Sequence, residues 1–129
     1  MLKSVYHVAI ICSNYQKSKD FYVKLLGMQV LAENYRAERQ SFKLDLALPD
    51  GSQVELFSFP DAPPRPSYPE AQGLRHLAFN VEDIEQTSLR LQEHGIIVES
   101  IRIDEYTGKK FTFFNDPDGL PLELYQQDG

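Results

Sequence analysis

Two histidines and two glutamates stand out by where they sit. His7 opens the stretch His-Val-Ala-Ile-Ile-Cys and His76 opens His-Leu-Ala-Phe-Asn-Val, while Glu55 lies in Val-Glu-Leu-Phe and Glu123 in Leu-Glu-Leu-Tyr. All four stretches read as strands, rich in β-branched and large apolar residues. Side chains alternate faces along a strand, so His7, Ala9 and Ile11 share one face, and His76, Ala78 and Asn80 repeat that arrangement. In both copies the residue two beyond the histidine is alanine, which leaves room above the sheet. A carboxylate in an apolar strand must be solvated, paired or bound to a cation, because burying it alone is very costly. Two neutral imidazoles and two carboxylates suit a divalent first-row metal such as Zn, Ni, Mn, Fe or Co. No helical H-x-x-x-H spacing is present, so the donors must meet through folding. One strand histidine is well explained by a hydrogen bond to a neighbour; two His/Glu pairs duplicated in register are not.

The duplication runs along the chain. "HVAIIC" at 7–12 matches "HLAFNV" at 76–81, and "PDGSQVELFSF" at 49–59 matches "PDGLPLELYQQ" at 117–127. Between these, 17–30 and 84–98 each read as an amphipathic helix that ends at a glycine, Gly27 or Gly95. Each glutamate follows the glycine of its Pro-Asp-Gly turn, Gly51 or Gly119, at the same spacing. Each module therefore reads β-α-β-β-β. In the first, residues 3–12 read as the opening strand, Ser13 or Asn14 offers a helix N-cap, and strands follow near 28–36, 41–48 and 53–60. In the second, Asp83 with Gln86 resembles a capping box, and strands follow near 96–103, 109–115 and 121–126. The segment "PDAPPRPSYPEAQG" at 60–73 contains five prolines and reads as a loop joining the modules. The expected organisation is one domain over 1–129, with module 1 at about 1–60, a linker at 60–73 and module 2 at about 74–129.

Composition narrows the setting. The 129 residues suit one compact domain, and a net charge of −6 disfavours nucleic acid or an anionic membrane as partner. The apolar runs are too short to cross a bilayer, and the N-terminus lacks the apolar stretch of a signal peptide. A lone cysteine, Cys12, makes no internal disulfide, which places the expected chain in a reducing cytoplasm. Weaker candidates for substrate contact are Lys110, beside Lys109 at a strand entry, and Tyr35 and Arg39 at a strand connection. Arg75 is expected to point away from His76 into an external ion pair. Cys12 is expected in the core, and His94 at a helix C-terminus.

Taken together, "HVAI", "DFYVKLLGM", "VELF", "RHLAF" and "FFNDPDGLPLELY" resemble the vicinal oxygen chelate superfamily over essentially the whole chain, and within it the glyoxalase I (lactoylglutathione lyase) type. The resemblance implies an α+β fold, two tandem βαβββ modules forming a curved mixed sheet around a metal-binding cavity. It implies His7, Glu55, His76 and Glu123 as ligands of one divalent metal per site, Zn or Ni before Mn, Co or Fe. It also implies a homodimer acting on a small-molecule substrate. The reaction implied is lyase or isomerase chemistry on a vicinal-oxygen substrate such as a 2-oxoaldehyde–thiol hemithioacetal. A glutamate moves a proton through a metal-stabilised enediolate, with Glu123 as first choice of base and Glu55 second. One feature departs from the pattern. Typical bacterial glyoxalase I enzymes carry an arginine four residues after the first histidine and an asparagine four after the first glutamate, both used for glutathione. Here those positions are Ile11 and Phe59, which points to another thiol adduct or a small oxygenated substrate. The competing readings are another metal-dependent enzyme of the superfamily (an epimerase, thiol transferase or dioxygenase) and a non-catalytic small-molecule binding protein.

Overall fold

The computed structural model describes residues 1–127. The chain divides into two compact units, Met1–Pro64 and Arg65–Gly129, and the division falls inside the proline-rich segment. Residues 65–73 of that segment fall in the second unit.

The first unit runs β1 (His7–Cys12), α1 (Tyr15–Asp20) continued by a π-helical turn at Phe21–Leu25, β2 (Gln29–Arg36), a 3-10 turn at Ala37–Arg39, β3 (Ser41–Ala47) and β4 (Gln53–Ser58). Asn14 caps α1, its side chain accepting from the Lys17 amide at 3.1 Å, and Gly27 closes the helical stretch at φ +79°. The four strands form one mixed sheet in the order β1-β4-β3-β2, with β1 parallel to β4 and the other pairs antiparallel. One face of the sheet is apolar: Ile10, Cys12, Leu44, Leu46 and Leu56 are buried, together with Tyr22 from the helical turn. Tyr15 of α1 stacks on Phe42 of β3 at 4.2 Å between ring centroids and donates its hydroxyl to Glu33. Burial, and then that hydrogen bond, push the Tyr15 hydroxyl far above its ordinary range.

The second unit repeats the plan with β5 (Leu77–Val81), α2 (Ile84–Glu93), β6 (Arg102–Ile103), β7 (Lys110–Asn115) and β8 (Pro121–Gln126). Its sheet order is β5-β8-β7-β6, again with the edge strand, β5, running parallel to its neighbour β8. Asp83 caps α2 by accepting from the Gln86 amide at 3.1 Å. Ile84, Ser88 and Leu91 form the buried stripe of α2, and Leu122, Leu124 and Phe114 form the buried sheet face. The α+β class and the tandem βαβββ plan expected from the sequence are both present, in two four-stranded mixed sheets.

Two expected strands are corrected: the first begins at His7 and not at Lys3, and the one over 96–103 is far shorter. Only Arg102–Ile103 pair as a ladder with β7. Upstream, the Glu99 amide donates to the Phe113 carbonyl at 3.0 Å, and the Glu99 carbonyl accepts from the Thr112 hydroxyl at 2.7 Å. A side chain thus takes a position that a backbone amide fills in a regular ladder, so β-branched Ile96, Ile97 and Val98 do not extend the strand. Among the described residues, no helix is long and apolar enough to cross a membrane.

Two stability predictions follow from this packing. Leu122, fully buried at the centre of its sheet, should cost about 2–5 kcal/mol when cut back to alanine. Asp83→Ala should cost about 1 kcal/mol and Asp83→Gly only a few tenths. Urea unfolding midpoints of the three variants test both statements, and an Asp83→Ala protein as stable as the parent would remove the cap from the account.

Candidate functional site

Each unit brings one histidine and one glutamate together by the same device. In the first unit the parallel register sets Ala9 beside Glu55, and His7 lies two residues earlier on the same face. In the second it sets Ala78 beside Glu123, with His76 one residue ahead of the first ladder pair of β5. The small alanine lets each glutamate lean toward its histidine. His7 Nδ1 lies 3.5 Å from Glu55 Oε2, and His76 Nε2 lies 3.3 Å from Glu123 Oε1. All four side chains are largely shielded, the glutamates most: 13% exposed for Glu55 and 14% for Glu123.

These pairs fit a shared cation. Two donors bound to one tetrahedral ion at about 2.0–2.2 Å stand about 3.4 Å apart. His7 Nδ1 is buried and makes no hydrogen bond, since its approach to Glu55 lacks the required geometry. An orphaned imidazole nitrogen beside a carboxylate is what a metal ligand looks like without its metal. The donors come as two pairs, and among the described residues no three or more His, Cys, Asp and Glu side chains form one group.

The rows flanking the two pairs differ. Beside Glu55, β3 presents Asp45 directly opposite and Lys43 two residues away. Lys43 Nζ donates to Asp45 at 2.7 Å and lies 3.8 Å from Glu55 Oε2. The hydrogen bond to Asp45 holds the Lys43 ammonium above its ordinary range. Beside Glu123, β7 presents Phe113 directly opposite and Phe111 two residues away. The Phe113 ring meets His76 edge-on at 5.1 Å. On the adjoining antiparallel strand, Glu55 thus meets charged residues and Glu123 meets aromatic rings.

The weaker sequence candidates lie elsewhere. Lys110 is on the opposite sheet face from Phe111 and Phe113 and donates to Glu85 of α2 at 2.6 Å. Tyr35 faces Phe42 at 4.8 Å, on the face opposite Glu55, and Arg39 is exposed in the 3-10 turn. The neighbour of Tyr35 takes the site face instead. Arg36 lies 5.3 Å over the Phe57 ring and 6.0 Å from the Phe59 ring. Sequence alternation could have found Lys43 and Asp45, since Leu44 and Leu46 mark the buried face. Nothing local marks Arg36. Arg75 pairs with Glu70 at 2.9 Å as expected, yet its Nη1 also lies 3.3 Å from His76 Nδ1. Its expected turn away from His76 fails because neither residue is within the ladder of β5, where alternation would apply. Cys12 is buried on the face opposite His7, and His94 Nδ1 sits 2.8 Å from the Arg90 carbonyl at the end of α2. Ile11 is exposed on the site face, and Phe59 stacks with Phe57 at 5.8 Å, so neither position offers a polar group to a peptide thiol.

Comparison with known proteins agrees with this plan. The family model described as the glyoxalase/bleomycin resistance protein/dioxygenase superfamily matches residues 4–124. The uncharacterized protein YwkD of Bacillus subtilis is 60% identical over 127 residues, covering 98% of this chain and 99% of that protein. The solved glyoxalase family protein from Enterococcus faecalis is 57% identical with a TM-score of 0.88, covering 95% of this chain and 97% of that one. More distantly, the glutathione transferase FosA of Serratia marcescens is 32% identical, covering 97% of this chain and 82% of that protein. With a repeated βαβββ plan, a parallel pairing of first and last strands in each half and a family match over nearly its whole length, the chain belongs to the glyoxalase/bleomycin resistance protein/dioxygenase superfamily.

Proposed function

We propose that His7, Glu55, His76 and Glu123 are the protein ligands of one divalent cation per site. On this reading the protein is a metal-dependent lyase or isomerase of the glyoxalase I type, working as a cytoplasmic homodimer on a small substrate with two adjacent oxygens. The observation that carries the reading is the repeated His/Glu pair, 3.5 Å and 3.3 Å apart, with the His7 nitrogen left without a hydrogen bond. The nitrogen and oxygen donors suit Zn or Ni, and also Mn, Co or Fe.

When bound, such a cation supplies Lewis acidity toward the two substrate oxygens. The chain's own residues handle the proton. Glu123 takes it from one substrate carbon and returns it to the neighbouring carbon, so the product is an isomer of the substrate and no other reactant is consumed. Glu123 suits this role better than Glu55. Lys43, 3.8 Å from Glu55, attracts that carboxylate and holds it in place, whereas the neighbour across the ladder from Glu123 is Phe113. A carboxylate without a competing ammonium has more freedom to swing between a ligand position and the substrate carbon.

A second reading, metal-dependent thiol transfer, is favoured by the similarity to the FosA transferase. Either reading must take account of Ile11 and Phe59, which give glutathione no arginine or asparagine to hold. Turnover of methylglyoxal hemithioacetals made from several thiols, beside an epoxide-opening assay with the same thiols, separates the two.

Metal content is the first test. Protein dialysed without chelator should carry about one Ni, Zn, Mn, Co or Fe per site by plasma mass spectrometry, and His76→Ala should lose it. No metal, and none taken up on titration, would leave the non-catalytic binding protein as the better reading. Glu123→Gln should lower kcat by roughly 10²–10⁴-fold while the variant remains folded; full turnover would rule out Glu123 as the base.

A further inference from the structure

The second unit holds a cavity of about 230 Å³ that includes His76 in its wall. Three arginines line it: Arg65, Arg75 and Arg102. Two are neutralised locally, Arg75 by Glu70 at 2.9 Å and Arg102 by Glu99 at 2.8 Å. Arg65 differs. Its Nε donates to the Ser67 hydroxyl at 2.5 Å and its Nη2 to the Leu74 carbonyl at 3.2 Å. Among the described residues it has no carboxylate partner, although it is half-buried. A guanidinium carries five N–H donors and cannot shed its charge, so Arg65 leaves the cavity with one positive charge in excess and donors to spare.

The wall is held in shape. The Ser67 hydroxyl that receives Arg65 also donates to the Gly119 carbonyl at 3.3 Å, which ties the proline-rich segment to the turn before β8. The two bonds made by Arg65 fix its fork, which lowers the ordering cost of receiving a ligand. Phe113 brings an apolar surface to the same cavity.

We infer that this cavity is the subsite for a carboxylate group of the substrate, with Arg65 as the residue that recognises it. One uncompensated positive charge matches a monoanion, and a planar carboxylate matches the guanidinium fork. The inference rests on the proposed metal reading in one respect: His76, shared by cavity and pair, places the subsite next to the reacting oxygens. The substrate class it names is a small monocarboxylic acid that carries vicinal oxygens elsewhere in the molecule. A cavity of about 230 Å³ lies below the roughly 300–1,000 Å³ of drug-sized pockets, which favours a small acid over a bulky conjugate in this half.

The test is made on the full chain after chelator treatment, so that its result does not depend on any metal. Benzoate and its neutral isostere benzamide are titrated while the arginine Nε–H resonances are followed by NMR. Benzoate should shift the Arg65 resonance saturably and bind at least about tenfold more tightly than benzamide, the preference expected of a charge-assisted pair. Arg65→Gln should erase that preference, and Arg65→Lys should keep part of it, with metal uptake unchanged in both. Equal binding of acid and amide, or no saturable shift at Arg65 in protein with a folded spectrum, would overturn the subsite whatever the metal content proves to be. Absence of metal uptake beside an intact benzoate preference would instead overturn the metal reading and leave the acid-binding cavity standing.

Discussion

Everything at the candidate site depends on the parallel pairing of the first and last strands in each half. In a parallel pair the residues advance together, so one register choice fixes every same-face neighbour along both strands. That choice sets Ala9 beside Glu55 and Ala78 beside Glu123. A slip of one residue would turn both glutamates into the apolar layer, where a lone carboxylate is very costly. The buried leucines on the opposite faces, Leu56 and Leu122 among them, resist that slip because it would expose them. Core packing and site geometry are therefore one constraint seen from two sides of a sheet.

Much of this was legible in the chain. Alternation places His7 and Ala9 on one face and Cys12 on the other, and the two Pro-Asp-Gly turns mark where the strand bearing Glu55 or Glu123 begins in each copy. Asn14 and Asp83 announced helix starts that their side chains do cap. What escaped was decided across strands rather than along them. The 96–103 segment has strand-forming residues, but Thr112 binds the Glu99 carbonyl through its side chain and the ladder shrinks to two residues. Arg36, and not Tyr35 or Arg39, shares the face of Phe57, a fact of antiparallel register that no local pattern carries. The prolines of the 60–73 stretch mark it as a loop, and it joins no ladder. Its role in walling a cavity comes from Arg65 and Ser67, two polar residues whose partners lie at Leu74 and Gly119.

The electrostatics of the two halves diverge within a shared frame. The first surrounds its pair with Lys43 and Asp45, whose hydrogen bond holds the ammonium beside Glu55. The second surrounds its pair with Phe111 and Phe113, and Arg102 sits 5.0 Å over the Phe111 ring. Attraction between Lys43 and Glu55 is strengthened by their partial burial, since screening by solvent weakens as exposure falls. On an acidic chain of net charge −6, the cationic groups near the second pair are a local exception and not a trace of overall composition.

The placement of those flanking residues has an evolutionary consequence. The donor atoms come from the parallel pairs β1/β4 and β5/β8, with His76 just ahead of β5, while Lys43, Asp45, Phe111 and Phe113 come from β3 and β7. No donor lies on the strands that set its surroundings. A substitution on β3 or β7 can therefore change the polarity felt by one glutamate while leaving both donor strands and their register untouched. The halves can also change independently, because each has its own third strand. A duplicated fold of this kind separates what must stay fixed from what is free to vary, so new substrate preferences are reachable by single steps that never pass through a chain lacking its His/Glu pairs.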